Sequence, residues 1–110
     1  MADKNKIPGG VSQAQLDKWK KENEVKEVTV PLDDEGKSTV TCYVKKPDLT
    51  IIGAASQVAE SNPLQSGLIL FDNCYLGGDP ETKDNDEVKM SVMVELIKMF
   101  RIRKATVKNV

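Results

Sequence analysis

Residues 38–45 have the sequence STVTCYVK, in which threonine and tyrosine alternate with valine and cysteine. A period of two with many β-branched residues is typical of a half-buried strand. Residues 24–32, which carry three valines, predict a second strand, and residues 33–37 (DDEGK) predict the turn between them. The two segments therefore predict a β-hairpin, which needs further elements or another sheet to be stable in water.

A helix is predicted on the N-terminal side of the hairpin. Ser12 and Gln15 have the spacing of a capping box, in which each residue satisfies a free backbone N–H at the other. The helix is expected to run to about Asn23 and to lay Trp19 onto the body of the protein. Residues 1–10 are charged and end in Pro-Gly-Gly, which predicts a flexible arm.

Three helices are predicted after the hairpin. Asp48 follows Lys-Pro and begins the first, and Asn62-Pro63 provides an N-cap and an N1 proline for the second, which ends near Cys74. Gly77-Gly78 are expected to stop that helix. The last helix is predicted from about Asn85 to Arg103, with Asp84 and Glu87 as a second capping box.

These elements predict an α+β fold: an N-terminal helix, a β-hairpin, and then a three-helix segment packed on it. With 110 residues, one domain is expected over residues 11–110, and its core is mainly aliphatic because aromatic residues make up only 5% of the chain. Cys42 and Cys74 are 32 residues apart and are expected to be reduced residues of the core.

Catalysis is not expected of this chain. It contains no histidine, which is the commonest general base and the usual partner of a serine or cysteine nucleophile. The acidic segment 79–87 supports two hypotheses. One is a metal site formed by Asp79, Glu81, Asp84 and Asp86, and the other is helix capping in a solvated loop. The spacing is not that of an EF-hand, so capping is favoured and neither a metal nor another cofactor is expected.

The N-terminus has no apolar signal segment, and no apolar run approaches the ~18 residues of a membrane span. A cytoplasmic location without membrane contact is therefore expected. The formal net charge of −1, from 16 basic and 17 acidic residues, argues against nucleic-acid binding except at a local patch. Residues 98–108, which carry five cations and no acid, are the one segment that could form it.

The last helix is apolar around most of its circumference. Such a helix is normally buried on several sides, and the alternative is a surface for a partner or a second copy. The residues proposed for partner binding are Val92, Leu96, Met99 and Phe100 of the last helix and Trp19 of the first helix.

A family resemblance sharpens the partner hypothesis. A strand leading into Lys46-Pro47-Asp48, then Asn62-Pro63-Leu64, the segment 73–79 (NCYLGGD) and an acidic run before the last helix resemble the tail assembly chaperones of long-tailed bacteriophages and prophages. The resemblance extends over roughly residues 16–100. It implies a non-catalytic protein that binds the tape-measure protein, keeps it soluble and helps tail-tube subunits to polymerise, and that self-associates in the bacterial cytoplasm.

Two alternatives belong to other functional classes. One is a structural tail or connector component that stays in the mature virion. The other is a small regulatory protein that binds nucleic acid through the basic C-terminal end.

Overall fold

The computed structural model describes residues 6–99 and 105–110 and has an α+β architecture, as predicted. A three-stranded antiparallel sheet in the order β3-β4-β5 is packed against helices, and a separate two-stranded ribbon lies near the N-terminus. The elements in chain order are β1 (Lys6–Ile7), β2 (Val11–Ser12), α1 (Gln13–Glu22), β3 (Val25–Pro31), β4 (Thr39–Lys45), α2 (Leu49–Val58), α3 (Pro63–Cys74), β5 (Tyr75–Gly78), α4 (Glu81–Asp84) and α5 (Asp86–Lys98).

The predicted hairpin is present as β3 and β4, paired from Val25 opposite Lys45 to Pro31 opposite Thr39. The expectation that β4 is half-buried was wrong, because Thr41 and Tyr43 are buried along with the apolar residues that alternate with them. Trp19 and the Pro8–Gly9 turn lie against Tyr43 on that face, and β5 pairs with the second edge of β4, which makes β4 the central strand.

Strand β5 contains Gly77 and Gly78, which were expected to stop a helix. Helix α3 instead ends at Cys74, as predicted, and the chain continues directly into the sheet. A Cβ on Gly78 would collide with the backbone of Cys42, and one on Gly77 would lie 2.8 Å from the Trp19 ring. The glycines therefore permit close packing on β4 and under α1.

The core is built from the hairpin and helices α2, α3 and α5, and it is mainly aliphatic, as predicted. Cys42 and Cys74 are both buried free thiols within it, which confirms their prediction. The buried apolar residues are Val28, Val30, Val40, Cys42, Val44, Ile51, Ala55, Leu70, Phe71, Cys74, Val88, Val92, Met93 and Leu96.

Several predicted helix starts are confirmed by their hydrogen bonds. Ser12 Oγ accepts from the Gln15 N–H at 3.1 Å, Asp48 Oδ1 from Ile51 at 2.9 Å and Asn62 Oδ1 from Gln65 at 3.1 Å.

One prediction about the region before α5 was wrong. Helix α5 is capped by Asn85, whose Oδ1 accepts from the N–H groups of Glu87 and Val88, and the Asp84–Glu87 capping box does not form. Asp84 is instead the last residue of the short helix α4. The predicted continuation of α5 to Arg103 lies outside the described residues beyond Met99.

The N-terminal arm is partly structured within the described residues. Lys6–Ile7 pair with Val11–Ser12, so residues 6–10 form one strand and the turn of a ribbon, and the flexibility of the arm stays a prediction. Gly9 and Gly10 have positive φ at the turn of this ribbon, and the Pro8 carbonyl accepts a 2.8 Å hydrogen bond from the Tyr43 hydroxyl. Residues 1–5 lie outside the described part of the chain.

Candidate protein-binding surfaces

Helix α5 is buried on one side and exposed on the other. Val88, Val92, Met93 and Leu96 are in the core, whereas Met90, Val94 and Ile97 keep 48%, 46% and 47% of their surface exposed. The predicted burial of this helix is therefore confirmed for one side, and the predicted surface for a partner stays a prediction for the exposed side. The exposed side is the part that can bind another molecule.

The residues proposed for partner binding are not brought together on one surface. Val92 and Leu96 are both 0% exposed within the protomer, so neither can touch a partner while this fold persists. Met99 is half-buried and packs against the core, and Phe100 lies outside the described residues. The proposal of a surface at Val92 and Leu96 is thus corrected: their apolar character serves the core.

Trp19 packs against the body of the protein, as predicted. Its ring lies 6.2 Å from that of Tyr43, centroid to centroid, and covers Gly77 of β5. No residue of α1 is fully buried, so this half-buried indole is the main attachment of the helix to the sheet. The predicted role of Trp19 in docking α1 onto the body is confirmed.

An apolar cleft of about 330 Å³, which we call the α3–α5 cleft, lies between these two helices. Leu64, at its edge, is 54% exposed, and Met90 faces it from α5. The helices approach closely below it because Gly67 has no side chain where the Met93 methyl group packs. The lining residues are Leu64, Leu68, Asp86, Lys89, Met90 and Met93.

A second depression, which we call the β3 groove, follows the outer side of β3 where α5 packs beside it. It consists of three adjoining clefts of about 140, 300 and 310 Å³. Asn85 and Val88 lie beside Val30 and Pro31 at one end, and Met99 lies beside Lys26 at the other. Helix α5 therefore runs antiparallel to β3 along the groove.

Asp79, in the acidic segment, makes hydrogen bonds that hold the fold together. Asp79 Oδ2 accepts from the Thr41 N–H at 2.9 Å, and the Asp79 carbonyl accepts from the Thr82 hydroxyl at 2.6 Å. Within residues 6–99 and 105–110, no three acidic or cysteine side chains are grouped closely enough to hold a metal ion. The predicted capping by acidic side chains was wrong, because Asn85 caps α5 and the Asp79 carboxylate accepts from β4 instead.

Burial governs the titration of the reactive side chains. Desolvation raises the pKa of Cys42 and of Cys74 from 9.0 to about 11. Burial, with a further contribution from the hydrogen bond to Glu27, raises the pKa of Tyr43 to about 12. The two thiols are therefore protonated near neutral pH, which makes them weak nucleophiles.

Comparison with protein-family models, curated proteins and solved structures found no match to this chain. Among the described residues, no helix has the length and apolar character needed to cross a membrane.

Sequence reasoning missed the side chains that form the exposed surfaces, although their apolar character was visible. Leu64, Met90 and Val94 lie at helical spacings that suit a core as well as a surface. Only packing against α3 and the sheet distinguishes exposed apolar residues from core residues, and that packing depends on tertiary structure.

Proposed function

We propose that this chain is a tail assembly chaperone-like protein that binds a helical segment of a phage tape-measure protein in the α3–α5 cleft and performs no catalysis. The observation that carries the proposal is the apolar lining of that cleft together with the exposure of Leu64 and Met90. The family resemblance of residues 16–100 supplies the class of partner.

The shape and chemistry of the cleft suit an amphipathic helix. Helix-in-groove binding places apolar side chains at positions i, i+3, i+4 and i+7 into a groove between helices. Met90 and Met93 are unbranched and adapt to different side chains, as a protein that holds a long, variable partner requires. Asp86 and Lys89 also line the cleft and offer opposite charges to the polar side of a bound helix.

Burial of exposed apolar surface would provide the free energy of binding. Leu64 and Met90 each expose about half of their surface, and transfer of a large aliphatic side chain out of water contributes about 1.5–3 kcal/mol when complete. Two half-exposed side chains and their neighbours therefore support a moderate affinity, as suits a chaperone that releases its partner.

Co-expression provides the first test. The chain is produced together with the tape-measure protein encoded nearest to it, and the soluble fraction is purified through a tag on the chain. We expect the tape-measure protein to be soluble and to co-purify, and to be insoluble when expressed alone. Failure to co-purify, with the tape-measure protein equally soluble in both cases, would contradict the proposal.

Analysis of purified particles separates the chaperone from a structural component of the tail. A chaperone leaves before the particle is complete, so mass spectrometry of mature virions is expected to detect the tape-measure protein without this chain. Detection of the chain at a fixed stoichiometry would instead support the tail or connector alternative.

A further inference from the structure

The outer edge of β3 is unpaired within residues 6–99 and 105–110, and the sheet register shows which groups it offers. Leu32 N–H donates to Ser38 O at 2.7 Å and Lys46 N–H donates to Glu24 O at 2.9 Å, at the two ends of the β3–β4 pairing. Since hydrogen-bonded positions alternate in an antiparallel pair, the even-numbered residues of β3 bond to β4. The backbone groups of Val25, Glu27 and Thr29 therefore point outward.

These outward groups form a short template for another strand. The three residues each offer one N–H and one C=O, whereas Pro31 offers only a carbonyl and ends the donor series. The usable edge is therefore Val25–Val30, six residues long. A strand added there would cover Val94, which lines the β3 groove and is 46% exposed.

The C-terminal residues of the chain match this template. Residues 105–110 (ATVKNV) are six in number, carry three β-branched side chains, and are neither helix nor strand. Val107 is 94% exposed and Val110 is fully exposed, so this segment makes no apolar contact with its own protomer. Alternation in a strand would place Val107 on one face and Val110 on the other, so either face offers an apolar side chain to the groove.

Helix α5 ends beside the start of the β3 edge. Met99, the C-cap of α5, lines the same cleft as Lys26 and Val28, at the start of the β3 edge. The exposed segment 105–110 follows Met99 in the sequence after residues 100–104, which lie outside the described part of the chain. It remains available to a neighbouring copy, whose own edge is equally unpaired.

We propose that the β3 edge, with the groove between it and α5, is the docking site for residues 105–110 of a second copy of this chain. The tail adds as a fourth strand through main-chain hydrogen bonds, which is the usual mode of β-strand addition. Its valines cover Val94 and the adjoining clefts. This interface lies apart from the α3–α5 cleft, so a test of one does not depend on the result for tape-measure binding.

Two variants remove one side of the interface each. Thr29→Pro removes an outward N–H without removing a bond to β4, and Thr29→Ala is the matched control because it loses the same hydroxyl contact with Thr41 but keeps the N–H. The second variant ends at Lys104 and lacks only residues that are exposed. Light scattering after size-exclusion chromatography gives the mass of each form.

The full chain and Thr29→Ala are expected to contain more than one copy. Thr29→Pro is expected to weaken self-association roughly tenfold or more, since a lost backbone hydrogen bond and strained pairing cost about that factor. The truncated form is expected to be a single copy. A single-copy full chain, or a truncated form that keeps its multiple-copy mass, would overturn the proposal.

Mixing the two variants tests the interface directly and controls for folding. Thr29→Pro retains a tail and the truncated form retains an intact edge, so together they are expected to form a one-to-one complex at concentrations where Thr29→Pro alone is a single copy. The proposal would be overturned if mixing gave no complex. It would also be overturned if a single-copy full chain protected the Glu27 and Thr29 amides from hydrogen exchange. The last result would mean that the tail binds its own protomer.

Discussion

Thr41 and Asp79 are joined by two hydrogen bonds, one in each direction. The Thr41 N–H donates to Asp79 Oδ2 at 2.9 Å, and the Asp79 N–H donates to the Thr41 carbonyl at 2.9 Å. Asp79 lies just after β5, where the chain leaves the sheet for α4 and α5. The Asp79 side chain thereby extends the β4–β5 pairing. It also fixes the start of α5, which contributes to both candidate binding surfaces.

Replacement of Asp79 by alanine is expected to destabilise the fold by about 1–3 kcal/mol, because the N–H of the buried Thr41 loses its acceptor. Asp79→Asn retains an oxygen acceptor and is expected to cost less. Asp34→Ala, at an exposed position of the β3–β4 turn, serves as a control. Urea unfolding followed by circular dichroism measures all three, and equal stability of Asp79→Ala and Asp34→Ala would contradict the assignment.

Two glycine-to-alanine substitutions are expected to have opposite effects. Gly78 has a φ of 155° and packs against the backbone of Cys42, so Gly78→Ala is expected to destabilise by about 2–4 kcal/mol. Gly53 is exposed within α2 with no atom near its would-be Cβ, and Gly53→Ala is expected to stabilise by about 0.5–1 kcal/mol. Thermal unfolding of both variants checks the signs, and a loss of stability in Gly53→Ala would refute the account of α2.

Stability is expected to fall as the pH rises from about 9 to about 11. The pKa of Cys42 and of Cys74 is raised from 9.0 to about 11 by burial, so in this window the unfolded chain releases thiol protons that the folded chain keeps. Unfolding is thereby favoured, and the contribution of the two thiols is complete below pH 9.

A double Cys42→Ala, Cys74→Ala variant provides the comparison for this pH dependence. Its overall stability is expected to be lower because the alanines leave cavities, but its decline between pH 9 and pH 11 is expected to be shallower. Chemical unfolding at several pH values measures the slope. Parallel pH profiles for the two proteins would show that the thiols do not contribute.

The hairpin and the helix starts were predictable because their signals are local. The alternation in residues 38–45 and the capping residues Asp48 and Asn62 specify backbone geometry within a few positions. Strand β5 was not predictable in this way, since Gly77 and Gly78 have low strand propensity. They are in the sheet because only glycine fits against Cys42 and Trp19, a constraint set by residues far away in sequence.

The division of α5 between core and surface was not predictable for a related reason. Leu96 and Ile97 are adjacent and equally apolar, yet the first is 0% exposed and the second 47%. A helix that is apolar on most sides has no periodic signal to indicate which side faces the core. The proposed partner residues Val92 and Leu96 were assigned to the surface for this reason, and packing against α3 and the sheet places them inside.

The central claim is that the α3–α5 cleft binds a helix, and calorimetric titration with a helical tape-measure peptide tests it most directly. Met90→Glu places a charge in the cleft, whereas Leu49→Glu makes a similar change at a leucine that is 85% exposed on α2 and outside the cleft. We predict that Met90→Glu weakens binding by at least about tenfold and that Leu49→Glu leaves it unchanged. Equal affinities of wild type, Met90→Glu and Leu49→Glu would contradict the claim.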